Sequence, residues 1–556
     1  MPTTVIIGGV AGGMSAATRL RRNDESRQII VLEASGNVSF ANCGLPYHIS
    51  GTITERSDLL LQTPQSLKAR FNLDVRVNTE AVAIDAARKI VHTADGEEID
   101  YDELILSPGA YAVNPYSDAL TLRNVEDMDA IIAAAEGASS ARIVGGGFIG
   151  LELAENLARR GLAVTIVERA AQILTPLDPE MAEIVAEHLE EHGITILTNA
   201  SLEHAPAADL TIAAIGVRPS VSLAQSAGLA IGELGGIVVD DQMRTSDPSI
   251  FAVGDAVEKR DAISGAPILV ALAQSANRQG RLVADVIAGK PAHDVPVLGT
   301  AIVGVFGLSA ASVGWNERRA RRERADAVRV IHLHPANHAG YYPGASTLHI
   351  KLVIDANSDE ILGAQIVGAE GVDKRIDVLA TAMRAGLKAP ELATLELAYA
   401  PQFGSAKDPI NFAGYIASNR EATVQWHEVA ELVGGSTGNF TRGADYLAGG
   451  ADGNANAANK SAAGDAAEGG TVLVDVRTPA EYARGQIPGA INVPLDTLRE
   501  NYQQFEGKSV IVHCQVGMRG HIAVTLLENL GIPAANLDGG YVTWKYGQAA
   551  QERGVQ

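Results

Sequence analysis

Two cysteines occur in the 556 residues, Cys43 in Ser39-Phe-Ala-Asn-Cys-Gly44 and Cys514 in His513-Cys-Gln-Val-Gly-Met-Arg519. Small and polar neighbours flank both, where a structural thiol would sit among bulky apolar side chains. Both read as reactive, because the thiolate is the nucleophile and needs access and polar surroundings. Two such residues make no disulfide framework.

The elements that must position them begin with glycine loops. Val5-Ile-Ile runs into Gly8-Gly-Val-Ala-Gly-Gly13, and helical spacing follows from Met14 to Arg22. A second strand, Gln28-Ile-Ile-Val-Leu-Glu33, ends in an acid at the distance expected of a ribose-binding carboxylate. Gly8, Gly9, Gly12 and Gly13 let backbone amides approach a pyrophosphate at a helix N-terminus, although Val10 fills the middle glycine slot. The second loop is cleaner. Ala141-Arg-Ile-Val leads into Gly145-Gly-Gly-Phe-Ile-Gly150, with glycines at 145, 147 and 150, and strand Ala163–Val167 delivers Glu168. A carboxylate there favours ribose hydroxyls over a 2′-phosphate, so NADH is expected over NADPH; Arg169 beside it pulls the other way. Two dinucleotide folds imply two dinucleotides, most economically FAD and a nicotinamide. Ser249-Ile-Phe-Ala-Val-Gly254-Asp255 supports the flavin, since an acid at the end of a buried strand can accept from a ribityl hydroxyl.

Length predicts three to four domains. The formal net charge of −22 speaks against nucleic acid or an anionic membrane as partner. The first residues lack a signal-like charged and apolar pattern, and no apolar run is long enough to span a bilayer. A cytoplasmic protein is expected, acting on small molecules. No metal-ligand set is read from the sequence.

These motifs together resemble the single-cysteine branch of the flavoprotein disulfide reductases over about the first 430 residues. The resemblance rests on Gly8 to Gly13, Glu33, Ser39 to Tyr47, Gly145 to Gly150 and Thr245 to Asp255. Two-cysteine members carry a second sulfur five positions on; here that position is His48. The second sulfur must therefore come from outside. Three readings compete within the branch: coenzyme A disulfide or persulfide reductase, NADH peroxidase, and NADH oxidase. The last two usually place a histidine in the first loop, and that slot is Ala11. Arg19 and Arg22, on one helix face, can clamp phosphates, and the resemblance places Ser15, Arg19, Arg22, Ser39 and Asn42 along a coenzyme A path. It also implies a homodimer in which Tyr341 and Tyr399 reach the partner's Cys43 as proton donors; Tyr342 is adjacent, and Pro401-Gln402 departs from the usual Pro-Pro. A nearby flavin and a helix N-terminus are expected to lower the pKa of Cys43.

From Gly434 to Gly470 the chain is rich in Gly, Ala, Asn and Ser, and reads as a flexible insertion after the first element of the last domain. Thr471-Val-Leu-Val-Asp-Val-Arg477 and Pro479 to Pro494 then resemble a rhodanese domain. Ser509-Val-Ile-Val-His is a buried strand delivering Cys514 to its edge, and six residues from Cys514 to Arg519 fit a loop whose amides curl around a persulfide. Arg519 would fix that loop or bind an anionic sulfur donor. The expected fold class is α/β: two Rossmann-like domains, an α+β dimerisation domain and a C-terminal α/β rhodanese domain. Expected boundaries are 1–112 and 239–320 for the FAD domain, 113–238 for the NAD(P)H domain, 321–423 for dimerisation and 424–556 for the rhodanese domain, with the insertion at about 434–470. The expected activity is NADH-dependent reduction of coenzyme A persulfide, disulfide or polysulfide at Cys43, with Cys514 handling sulfane sulfur. The alternatives are an oxidase or peroxidase using a cysteine sulfenate, and a non-catalytic redox or sulfur sensor.

Overall fold

The computed structural model describes residues 1–434 and 470–555, so the expected insertion at about 434–470 lies, apart from its ends, outside the described residues. The chain forms two compact units: Met1–Arg169 with Gly193–Gly299, and Ala170–His192 with Thr300–Gln556.

The first unit is built on two parallel sheets. One has five strands in the order Ile250–Ala252, Glu103–Leu106, Thr3–Ile7, Gln28–Leu32 and Asp74–Arg76. Its central strands are β-branched runs with no exposed face, so they are covered on both sides. The edge strand Ile250–Ala252 comes from far along the chain, which makes this fold discontinuous and brings Gly254 and Asp255 to the same sheet end as the first glycine loop. Helices Ala11–Asn23 and Ala273–Ile287 pack against each other on one face. The other parallel sheet has the order Thr195–Leu197, Ala163–Val167, Ser140–Val144 and Leu210–Ala213. Both put their ligand-facing loops at strand C-termini, where Rossmann-like folds bind nucleotides.

The second unit combines an antiparallel and a parallel sheet. The antiparallel one is ordered Ala301–Val305, Leu308–Gly314, Ile361–Gly368, Leu348–Asp355 and Val328–Leu333, with helix Val372–Ala385 packed on it. The parallel one is ordered Thr423–Val424, Ala534–Leu537, Ser509–His513, Thr471–Asp475 and Ile491–Asn492. Thr423–Val424 thus joins a sheet whose other strands follow residue 470. The chain adopts the fold class its sequence predicts: two Rossmann-like folds, an α+β domain and a C-terminal α/β domain.

A buried charge cluster lies inside the second unit. The Lys351 ammonium, without solvent exposure, is 2.9 Å from Asp178, 2.7 Å from Glu317 and also bonded to Glu180. These three carboxylates have the spacing of a metal site, but the lysine supplies the positive charge that stacked acids require. No helix among the described residues is long and apolar enough to cross a membrane.

Candidate active site

Cys43 sits in the turn Asn42–Gly44, which runs directly into the short helix Leu45–Ile49. Its thiol is exposed. The helix packs on helix Phe148–Arg159 of the second dinucleotide fold, and the Tyr47 hydroxyl donates to Glu152 Oε1 at 3.3 Å. The pKa expected to fall instead rises: partial desolvation pushes the Cys43 thiol up, and the negative charges of Glu152 and Asp255 add to it. A helix of five residues has too little dipole to offset two carboxylates.

Glu152 is a titratable neighbour of Cys43 that the sequence does not single out. Burial pushes its carboxyl up to about 7, with Tyr47 pulling the other way, and Tyr47 itself is pushed to about 12 by burial and by Glu152. The only signal in the sequence is its place, two residues after Gly150 on a helix that starts at a nucleotide loop. An ionised Glu152 disfavours the Cys43 thiolate, after desolvation. Glu152→Gln is expected to move the pH profile of Cys43 alkylation by iodoacetamide to lower pH, because one of the charges that disfavour the thiolate is gone. Measured in a Cys514→Ser background, where one thiol remains, an unmoved profile would contradict the linkage.

The two glycine loops repeat one geometry. Glu33 accepts from the Gly9 amide at 2.8 Å, and Glu168 from the Gly146 amide at 2.7 Å. Gly8 and Gly9 link strand to helix, while Gly12 and Gly13 form the first helical turn; likewise Gly145 follows its strand, Gly147 caps the helix and Gly150 lies in its first turn. A Cβ at Gly13 would fall 1.9 Å from the Gly8 carbonyl oxygen, so only glycine allows helix and strand to approach this closely.

Gly254 and Asp255 open the turn after strand Ile250–Ala252. Burial pushes the Asp255 carboxyl up, while Arg123, 4.0 Å away, and Lys259 pull it down. Lys259, itself pushed to about 8 by desolvation, holds the Gly254 carbonyl at 2.6 Å. Among the described residues none donates a hydrogen bond to the Asp255 carboxylate. A desolvated acceptor held at a strand end beside a glycine loop fits a cofactor hydroxyl, as FAD would supply.

The expected coenzyme A residues are placed unevenly. Arg19 is not a free cation: its guanidinium pairs with Asp285 through Nε at 2.8 Å and Nη2 at 3.1 Å. Arg22 folds back to the Thr18 carbonyl at 3.0 Å, and the Ser15 hydroxyl donates to Asn277 at 2.5 Å. Asn42 donates to the Arg123 carbonyl at 3.3 Å. Ser39 adopts φ of 49°, an uncommon conformation for a non-glycine residue, with its amide on the Gly9 carbonyl. In the second unit the Tyr341 and Tyr399 hydroxyls are 3.2 Å apart and both rings are exposed. Tyr342 instead turns toward the His338 ring. The bond to Tyr399 raises the Tyr341 pKa, so the phenol keeps its proton.

Cys514 lies at the C-terminal end of strand Ser509–His513 and is fully buried. The amides of Gln515, Val516, Gly517 and Met518 have no backbone acceptor among the described residues, which suits an anionic sulfur. Helix Met518–Asn529 begins earlier than expected, so Arg519 belongs to its first turn. There it forms two bonds to Glu481, at 2.8 and 2.6 Å, and so is pinned to the neighbouring short helix. A second cation was not foreseen. Arg477 is buried, tied to Asp475 at 2.7 Å and to Gln515 Oε1 at 3.0 Å, and its guanidinium lies 4.2 Å over the Tyr541 ring.

Comparison with known proteins agrees with this geometry. Residues 2–280 match the pyridine nucleotide-disulphide oxidoreductase model, residues 300–408 the dimerisation domain of that family, and residues 458–546 a rhodanese-like domain. A coenzyme A disulfide reductase of Staphylococcus haemolyticus is 35% identical over 440 residues, covering 75% of this chain and 99% of that protein. The structure of reduced CoADR-RHD from Bacillus anthracis superposes with a TM-score of 0.89 at 41% identity, covering 99% of this chain and 98% of that one. An NAD-dependent persulfide reductase from A. fulgidus gives a TM-score of 0.84 at 33% identity, over 98% and 100%.

Proposed function

This chain belongs to the pyridine nucleotide-disulphide oxidoreductase family, and from that premise we propose that it reduces coenzyme A persulfide, coenzyme A disulfide or related polysulfides with NADH, while Cys514 carries sulfane sulfur. The observation that carries the reading is an exposed Cys43 without a protein thiol for a mate: both cysteines are free, and His48, in the second-sulfur position, is bonded to the Ile53 carbonyl at 2.7 Å. The substrate brings the other sulfur. The similarity to a coenzyme A disulfide reductase and to a persulfide reductase supports that substrate class.

Gly8, Gly9, Gly12, Gly13, Glu33, Gly254 and Asp255 would hold FAD, and Gly145, Gly147, Gly150 and Glu168 the nicotinamide nucleotide. Bound FAD supplies a two-electron relay between nucleotide and sulfur. Cys43 attacks one sulfur of the substrate S–S bond as a thiolate; that bond breaks, and the other sulfur departs with a proton. For the persulfide the balance is CoA-S-SH + NADH + H⁺ → CoA-SH + H₂S + NAD⁺. In a homodimer Tyr341 and Tyr399 would face Cys43 of the partner subunit and supply the proton to the departing sulfur. Ser15, Arg19, Arg22, Ser39 and Asn42 would line the coenzyme A path, with Asp285 setting the orientation of Arg19.

Steady-state NADH turnover with coenzyme A disulfide, coenzyme A persulfide, glutathione persulfide and peroxide tests this directly. The coenzyme A substrates are expected to have the highest kcat/KM. A large preference for peroxide would favour the sulfenate chemistry, which Ala11 in place of a loop histidine argues against. No turnover with any sulfur compound would favour a sensor.

A further inference from the structure

The floor of the Cys514 loop is gripped from outside its own domain. Strand Ala534–Leu537 ends in Asp538-Gly539-Gly540, and this turn touches the sulfur loop on its inner side. The Tyr541 amide donates to the Cys514 carbonyl at 2.9 Å and the Val542 amide to the Gln515 carbonyl at 3.1 Å. Gly540 has φ of 66°, and a Cβ there would lie 2.6 Å from the Cys514 carbonyl oxygen, so the turn and the loop cannot shift independently.

On its outer side the same turn is held by strand Val328–Leu333 and the residue after it. The Asp538 carboxylate accepts from the His332 backbone amide at 3.1 Å and pairs with His332 Nδ1 at 2.6 Å. The other ring nitrogen, Nε2, is 3.0 Å from Glu180 Oε1. Two residues along, His334 Nε2 meets the Thr543 hydroxyl at 2.8 Å. His332, Asp538 and Glu180 are all nearly without solvent exposure. Acids on both ring nitrogens require a cation between them, and burial of that much charge is tolerated only when each partner is present.

We propose that His332 is a positioning residue for sulfur transfer at Cys514: it fixes the Asp538-Gly539-Gly540 turn and, through that turn, the loop that must cradle the persulfide. This rests on the reading of Cys514 as the sulfur carrier. The groups facing His332 are Asp538, Glu180, Lys351 behind Glu180, and His334; Arg329 also interacts with Asp538. Burial pulls the His332 pKa down, but Asp538 and Glu180 outweigh it and hold it at about 9. Because this lies above the ordinary 6.5, the clamp is at full strength below pH 6.5 and is lost as pH rises through about 9.

The test compares thiosulfate-to-cyanide sulfur transfer at pH 7, sulfur loading of Cys514 from thiosulfate followed by mass spectrometry across the pH range without cyanide, whose own acid titrates in the same range, and NADH-dependent reduction of coenzyme A disulfide. Wild-type sulfur loading of Cys514 is expected to decline as pH rises through about 9. His332→Gln and Asp538→Asn should each lower sulfur transfer by about tenfold at pH 7, as misplacement of a reacting group does, and remove the alkaline inflection from sulfur loading. The double variant should be no worse than either single one, and disulfide reduction should stay within about twofold. Unchanged sulfur transfer and an intact inflection in Asp538→Asn would overturn the proposal, whatever happens to the folding of His332→Gln. Cys514→Ser separates the two layers: if it spares sulfur transfer, the carrier reading fails; if it abolishes transfer while the clamp variants do not, only the clamp fails.

Discussion

Cys43→Ser is expected to lower NADH-dependent reduction of coenzyme A disulfide and persulfide by at least about a thousandfold, the loss typical of removing a nucleophile, while leaving thiosulfate sulfur transfer within about twofold. A serine hydroxyl does not ionise near neutral pH and cannot form the mixed disulfide that carries the reaction. The surroundings of Cys43 make the loss steep, because Glu152 and Asp255 already work against an anion at this position and a weaker acid has no means of compensation. On the proposed assignment sulfur transfer uses Cys514, which lies in the other compact unit, and should not respond. Equal loss of both activities would show that the two cysteines act in one obligatory sequence.

The reciprocal variant, Cys514→Ser, should abolish sulfur transfer by about a thousandfold and spare disulfide reduction. Cys514 is fully buried, with amides of its loop left without backbone acceptors and with Arg477 and Arg519 each tied to an acid nearby. On the proposed role, the loop amides and these cations would hold a stored anionic sulfur. They give no route for a neutral hydroxyl to replace it. Sulfur transfer surviving in Cys514→Ser would mean that the C-terminal domain does not carry sulfane sulfur.

Much of the site was legible because its chemistry is local. Each glycine loop announces itself within six residues, and each strand-end acid, Glu33 and Glu168, within the next strand, since the turn, the helix N-terminus and the strand end are neighbours in sequence. Cys43 and Cys514 stood out because small and polar residues flank them in the chain; in space Cys514 is fully buried and packs in an apolar cluster with Val476, Val512, Ala523 and Val524, which its sequence neighbours do not reveal. What stayed hidden depends on contacts between distant segments. Arg19 looked like a free phosphate clamp until Asp285, 266 residues away, took its guanidinium. The expected fall in the Cys43 pKa is reversed by partial desolvation and then by Glu152 and Asp255, which reach it from other elements. His332 and Asp538 are 206 residues apart, and neither carries a local motif. The early start of helix Met518–Asn529 was a boundary error of the ordinary kind, since a glycine N-cap at Gly517 gives little warning in sequence.

The most direct measurement is peptide mass spectrometry of the NADH-reduced protein after brief exposure to coenzyme A disulfide. A thiol-reversible coenzyme A adduct on the Cys43 peptide, with none on the Cys514 peptide, is the predicted result. An adduct confined to Cys514, or a Cys43–Cys514 disulfide in place of the coenzyme A adduct, would contradict the assignment of Cys43 as the thiol that meets an incoming sulfur.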